Sequence, residues 1–189
     1  KIKKVPCFEG FEELEFDSIG KLEAAVTSGG LSTMPWTYEG KLVTLENKTL
    51  RYPGHWEQMI AYRQLGLFDE KTISFKGADF SPREFYHYLL EPQLAENESK
   101  DVCIMRTEAI GIKNNSLAKA IVESIEYYDE NTGFKAMEKW TGWHASILAI
   151  QIAKGLISKG TVSIENAISG TDFLKEAKKR NFDIKIKIN

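Results

Sequence analysis

The run from Lys48 to His55 joins a basic side chain and a titratable ring to a predicted helix start. The pattern predicts a strand that ends near Tyr52 and a helix that begins at Pro53, so free helix N–H groups point outward there. Arg51 adds a guanidinium fork, and His55 adds a ring that titrates near neutral pH. This arrangement suits an anionic, amino-acid-like ligand, although an ordinary Arg ion pair beside a capped helix fits the sequence equally well.

A second segment, residues 27–35, surrounds the pair Gly29-Gly30 with four hydroxyl groups. Its backbone amides, together with the hydroxyls of Ser32 and Thr33, predict a loop that can hold a carboxylate. A plain flexible loop is the alternative. A third segment has Thr141-Gly142 at a possible helix start, where amides again suit an anion and packing is the simpler interpretation.

No motif for a metal or a dinucleotide accompanies these segments. The three histidines are widely spaced, and HExxH, CxxC and Walker A patterns are absent. No GxGxxG occurs either. We therefore expect no metal ligands and no cofactor-binding residues in this sequence.

The composition sets the class of protein. The chain has 189 residues, of which 42% are hydrophobic and 28% charged, with a net charge of −2. These values are typical of a globular protein, and we expect one domain over residues 1–189. The charge argues against a nucleic-acid partner, and no apolar run reaches the ~18 residues of a membrane span. Cys7 and Cys103 cannot form a disulfide framework, so we expect a cytoplasmic location.

Hydrophobic periodicity predicts an α+β fold, with a mixed, mainly antiparallel sheet and helices packed on one face. Predicted strands cover residues 14–17, 21–27, 41–45, 49–52, 72–76, 102–112, 117–128 and 182–188, the last with lysines on its wet face. Helices are expected from Pro53 to residue 65, from Ser81 with a capping box to Pro92, from Ala136 or Thr141 to residue 154, and after a Thr171 cap.

In order and spacing, residues 20–24, 27–35, 46–55 and 136–143 resemble the carboxyl-terminal domain of the saccharopine dehydrogenase family, which includes saccharopine reductases and lysine 6-dehydrogenases. The run from Lys48 to His55 is the most specific match. With Ser32-Thr33-Met34-Pro35 before it, this run is more similar to the lysine 6-dehydrogenase-like branch than to fungal saccharopine reductases.

The resemblance implies an enzyme that oxidises a C–N bond of lysine or a saccharopine-like amino acid, giving an imine that hydrolyses to a semialdehyde. NAD or NADP would be bound by an upstream Rossmann domain, so the chain would be a catalytically incomplete piece of a longer protein. A homodimer is also implied, and the 21 aromatic residues (10 Phe, 7 Tyr, 4 Trp) agree with an interface.

The resemblance also implies roles for individual residues. Arg51 would bind the substrate carboxylate, and Tyr52 and His55 would shape the pocket or assist proton movement. The remaining implied substrate contacts are Gly29, Gly30, Ser32, Thr33, Thr141 and Gly142. Two alternatives stay open: a dehydrogenase for a polyamine precursor such as carboxynorspermidine, and a non-catalytic dimerisation or amino-acid-sensing module.

Overall fold

The computed structural model describes residues 2–94 and 99–189. The chain divides before Ser99 into an amino-terminal unit and a carboxyl-terminal unit, each compact. The expectation of a single domain over residues 1–189 stays a prediction.

The amino-terminal unit is built on an antiparallel sheet with the order β1-β2-β3, where β1 is Glu12–Phe16, β2 is Gly20–Ala25 and β3 is Thr49–Arg51. Successive side chains of a strand point to opposite faces. One face of this sheet therefore buries Phe16, Leu22 and Ala24, each at most 2% exposed. The sheet fixes where the Arg51 strand ends.

The other elements of this unit are one short helix between β2 and β3 and three elements that follow β3. They are α1 (Met34–Thr37), α2 (His55–Gln64), the hairpin of β4 (Ile73–Phe75) with β5 (Ala78–Phe80), and α3 (Pro82–Leu94). The predicted capping box of α3 is confirmed. The Glu84 amide donates to the Ser81 hydroxyl at 3.1 Å, and the Ser81 amide donates to the Glu84 carboxylate at 3.3 Å.

The carboxyl-terminal unit starts with a long hairpin of β6 (Val102–Lys113) and β7 (Ser116–Tyr127). Asn114 and Asn115 connect the strands with φ of 51° and 59°. Two residues of positive φ are the signature of the hairpin turn whose twist matches that of the strands. Helices α4 (Ala136–Ala153), α5 (Ile164–Ala167) and α6 (Gly170–Lys178) come next, and β8 (Ile184–Ile188) returns antiparallel beside β7.

The core of this unit lies between α4, α6 and the sheet. Ile147, Ala136 and Ala177 are fully buried, and the Trp140 ring lies 4.2 Å from that of Phe182. An ion pair is buried with them: Lys139 Nζ lies 2.9 Å from the Glu126 carboxylate, and both side chains are at most 10% exposed. The other carboxylate oxygen of Glu126 accepts the Asp183 amide, so both ends of the pair are engaged.

The α+β class is confirmed, and every strand pair among the described residues is antiparallel. The strands of those residues form three sheets rather than the single sheet expected. Strands β6 and β7 are confirmed over nearly their predicted lengths. The strand predicted at residues 41–45 is wrong: Val43 is fully exposed, and β2 pairs instead with Thr49–Arg51.

Two helix boundaries also differ from prediction. Helix α3 continues through Pro92 to Leu94, because a proline so near a helix end removes only one backbone bond. Helix α6 is capped by Ser169, whose hydroxyl accepts the Asp172 amide, and not by Thr171. Both differences concern sites where several residues could end or cap the helix.

Candidate functional site

The segment from Arg51 to His55 joins the end of β3 to the start of α2, as the sequence predicts. The chain turns at Gly54, where φ is +90°, a conformation that side chains with a Cβ rarely adopt. Helix α2 therefore begins at His55, two residues later than expected. The three sequence-predicted residues Arg51, Tyr52 and His55 are thus held by one turn.

The Arg51 guanidinium makes few contacts with the described residues. Its Nη1 donates to the Leu50 carbonyl at 2.8 Å, and its Cζ lies 6.0 Å from the centre of the Trp56 ring. Within residues 2–94 and 99–189, no carboxylate forms an ion pair with it. Because the side chain is exposed, most of its N–H donors are available to a ligand.

Glu23 is a residue that the sequence analysis missed. It lies on β2 directly opposite Arg51, and it is 9% exposed. Its Oε1 accepts the Gly54 amide at 2.9 Å, while its Oε2 is buried with no hydrogen-bond donor. The only sequence signal was a charged residue inside the apolar run from Leu22 to Ala25.

His55 lies beside these two charges. Burial lowers the pKa of its imidazole below the ordinary value, the Arg51 charge lowers that pKa further, and Glu23 opposes both effects. Its ring meets the Trp56 ring edge-on, with centroids 4.9 Å apart. The ring is therefore neutral at neutral pH, and it can accept a proton.

Tyr52 is 61% exposed, and its carbonyl accepts the His55 amide at 3.2 Å, which closes the turn. This contact gives the Tyr52 backbone a structural role. A catalytic or pocket role for its hydroxyl stays a prediction.

The glycine loop is seated against the opposite end of β3. An added Cβ on Gly30 would lie 1.9 Å from the side-chain oxygen of Asn47, so this close approach requires glycine. The hydroxyls of Thr27 and Thr49 also bond to each other. Thr49 and Arg51 are two strand residues apart, about 7 Å, so the loop contacts β3 at the end away from Arg51.

Within the loop, Gly29 and Ser32 have φ of +87° and +46°, and Thr33 receives the Trp36 and Thr37 amides on its carbonyl. The loop therefore has a defined, tightly turned backbone rather than an extended one. Its predicted role in carboxylate binding remains a prediction.

The third predicted segment is corrected. Thr141 and Gly142 lie inside α4, which begins at Ala136, so their amides serve the helix. The amides of Ala136 and Met137 at the true start are already taken by the Asp101 carboxylate, at 2.6 and 3.0 Å. Two of the amides at this helix start are therefore not free to bind a substrate carboxylate.

A cleft of about 750 Å³ lies in the carboxyl-terminal unit, lined by the end of α4, by α5 and by α6. Its Lys175 and Lys179 are paired with Asp172 and Glu176. None of the sequence-predicted site residues lines it, so it does not compete with the Arg51 segment as the candidate site.

The described residues do not provide a recognisable place for a nicotinamide cofactor. Dinucleotides bind at the carboxyl ends of parallel strands, whereas the strand pairs of residues 2–94 and 99–189 are antiparallel. In that same part of the chain, no group of three or more His, Cys, Asp or Glu side chains has the arrangement of a metal site. Nor does any helix there combine the length and hydrophobicity that crossing a membrane requires.

A comparison with known protein families finds a match to this chain. The model of the family described as "Saccharopine dehydrogenase C-terminal domain" matches residues 1–182, nearly the whole chain. The match includes both units and all of the predicted site residues.

Proposed function

The chain belongs to the saccharopine dehydrogenase C-terminal domain family, and on that premise we propose that it binds the substrate and forms the dimer interface of an amino-acid dehydrogenase. The enzyme would use NAD or NADP to oxidise a C–N bond of lysine or a saccharopine-like amino acid. The observation that carries the proposal is the Arg51 guanidinium, exposed and without an ion pair among the described residues, on the turn that also holds His55.

In this proposal Arg51 binds the substrate carboxylate with two parallel N–H···O bonds. This bidentate geometry is common in pairs of arginine and carboxylate. Such a remote contact holds the reacting carbon in place, and its binding energy lowers the barrier only when it is also present in the transition state. The loop of Gly29, Gly30, Ser32 and Thr33 would border the site from the opposite end of β3.

His55 would accept the proton released from the substrate amine, since a neutral imidazole is the form that can do so. Tyr52 would line the pocket. A bound nicotinamide would supply the hydride acceptor. Rossmann domains bind it with parallel strands, whereas the strand pairs of the described residues are antiparallel. We propose that another domain of a longer protein binds the nicotinamide, and that this chain alone is inactive.

A second candidate substrate is a polyamine precursor such as carboxynorspermidine. The buried Glu23 favours it, because amine-rich substrates require carboxylates in the pocket. Lysine and saccharopine remain the first choice, since the Lys48 to His55 run resembles the lysine 6-dehydrogenase-like branch.

The experiment is a substrate screen with the full-length protein that contains this chain. L-Lysine, L-saccharopine and carboxynorspermidine are each supplied with NAD or NADP, and cofactor reduction is followed by absorbance. Reduction with one of the first two supports the proposal, whereas reduction with carboxynorspermidine alone selects the second candidate. Amino-acid binding without turnover in any combination would instead favour a sensing module.

We also propose that the dimer forms through the β6–β7 hairpin. Ile110, Ile112 and Leu117 are 68%, 74% and 74% exposed, and they lie on one face near its tip. Such a contiguous apolar patch is typical of an interface. A cytoplasmic location is proposed as well, since Cys7 and Cys103 are both free thiols.

A further inference from the structure

Glu23 and Arg51 are opposite charges at paired positions of β2 and β3, yet they do not neutralise each other. Paired residues of neighbouring strands have Cβ atoms about 4.5–5.5 Å apart, so an ion pair between them would be the ordinary outcome. Instead, the Arg51 guanidinium bonds to the Leu50 carbonyl, and Glu23 Oε2 has no donor. Glu23 Oε2 and most of the Arg51 N–H donors are therefore unused by the described residues.

The burial of Glu23 makes this arrangement unusual. Glu23 is nine-tenths buried, and Ala25, the next residue of β2 on the same face, is fully buried. A buried carboxylate is normally supplied with donors on both oxygens, because an unpaired charge in an apolar setting is unfavourable. The Gly54 amide satisfies Oε1 alone. Oε2 can therefore accept a hydrogen bond from a donor that the described residues do not provide, such as a ligand.

We propose that Glu23 binds the α-ammonium group of an α-amino acid whose carboxylate binds Arg51, an inference that rests on the proposed function. In an α-amino acid these two charges sit on one carbon, so they match a cation and an anion on adjacent strands. The neutral His55 adds no repulsion toward the ammonium. Glu23 Oε2 is buried, so a side chain must move before the ammonium reaches it, and Arg51 is exposed, with one hydrogen bond to its neighbour and a contact with the Trp56 ring.

The test compares two probes that differ only at the α position. L-Lysine has the α-ammonium, and 6-aminohexanoate has hydrogen there but keeps the carboxylate and the terminal amine. Dissociation constants are measured by calorimetry on the full-length protein, on its Glu23→Gln variant and on Glu13→Gln. Gln at position 23 retains an acceptor for the Gly54 amide while removing the charge. Glu13 is the matched control, because it lies opposite Glu23 on β1 and its side chain is 51% exposed.

Wild-type protein should bind L-lysine at least about tenfold more tightly than 6-aminohexanoate, since a charged hydrogen bond is lost with the α-ammonium. Glu23→Gln should reduce this preference to roughly twofold or less, and Glu13→Gln should leave it intact. Equal binding of both probes to wild type would overturn the inference even if Glu23→Gln failed to fold.

The two proposals can fail separately. If L-lysine binds and Arg51→Lys weakens the binding of both probes, the carboxylate site stands. A preference that survives Glu23→Gln would then overturn the Glu23 assignment alone. If neither probe binds wild type, the assignment and the lysine form of the proposed function fall together.

Discussion

At the scale of single residues, Arg51 is the side chain whose role can be tested most directly. Arg51→Lys keeps the charge but loses the bidentate fork. A charge-assisted contact is worth roughly 1.5–3 kcal/mol, and each 1.4 kcal/mol is tenfold. We therefore expect kcat/KM of the full-length enzyme for its amino acid to fall about ten- to a hundredfold, with KM for the cofactor little changed.

Thermal unfolding of the same preparations separates this role from a structural one. If Arg51 served the fold alone, Arg51→Lys would lower Tm and leave the kinetics of the folded fraction intact. Arg63→Lys is the matched control on α2, because Arg63 donates to the Cys7 carbonyl and lies over the Phe8 ring. It should change Tm without changing kcat/KM.

His55 provides a prediction about pH. Its pKa is lower in the folded chain than the ordinary value of about 6.5, so between these two pKa values the unfolded state binds more protons. The contribution of His55 to stability is complete above about pH 6.5, and it is lost as the pH falls toward the folded pKa. Denaturant unfolding should show that the free energy of unfolding decreases less on acidification in His55→Gln than in wild type.

The pKa of His55 can also be read directly by NMR titration of the ring. Arg51→Gln should raise this pKa because it removes a neighbouring positive charge, and Glu23→Gln should lower it because it removes a compensating negative one. A pKa of His55 that responds to neither substitution would contradict the cluster described here.

Residues that work together differ in how visible they are in the sequence. Arg51 and His55 were predicted together because both belong to one strand-to-helix junction, which is a local pattern. Glu23 belongs to the same cluster only through the pairing of β2 with β3, which joins positions 23 and 51. Such a non-local contact leaves no mark in periodicity, so the carboxylate was seen only in the structure.

At the scale of elements, the length of α4 places Gly142 in the interior of the helix rather than at its start. It lies inside the helix, and an added Cβ there would have no atom within 4 Å. Gly142→Ala should therefore stabilise the chain by about 0.4–1 kcal/mol, through the higher helix propensity of alanine and its smaller unfolded-state entropy. Denaturant unfolding gives the value.

The same substitution at Gly54 is the contrast. Its φ of +90° is unfavourable for alanine, so Gly54→Ala should destabilise the chain by roughly 1 kcal/mol or more. Loss of stability in Gly142→Ala would show that the helix-interior position is wrong, and would reopen the anion-binding interpretation.

Elements with strong local signals were predicted well, and short ones were not. Strands were predicted at residues 102–112 and 117–128, close to the bounds of β6 and β7, and Ser81 with Glu84 identifies the start of α3. By contrast, β5 has only Ala78, Asp79 and Phe80, too few residues for an alternating pattern. Residues 41–45 include Leu42, Val43 and Leu45, but β propensity depends on a partner strand, and none pairs with them in the described residues.

At the scale of the whole molecule, β8 shows how a confirmed strand can still have a different surface from that predicted. One buried face was expected there, yet Ile186 and Ile188 are 45% and 61% exposed, and only Ile184 is partly covered. The sheet of β6, β7 and β8 therefore exposes apolar side chains on both faces, with Ile186 and Ile188 on the face opposite to Ile112 and Leu117. Stable interfaces are enriched in such side chains, and the proposed dimer is placed at the hairpin tip, where the more exposed group lies.

The dimer can be tested by changing the patch at the hairpin tip. Ile112 and Leu117 are cross-strand partners, and both are 74% exposed, so serine at both positions removes apolar area without disturbing a core. Sedimentation velocity should give a dimer for the chain and a monomer for Ile112→Ser/Leu117→Ser, because the interface loses its hydrophobic contribution. The control is Ile73→Ser/Phe75→Ser, a pair on the β4–β5 hairpin that is also exposed, and it should remain dimeric. A wild-type monomer would remove the dimer from the proposal, and a dimer that survives the tip substitutions would move the interface to another surface.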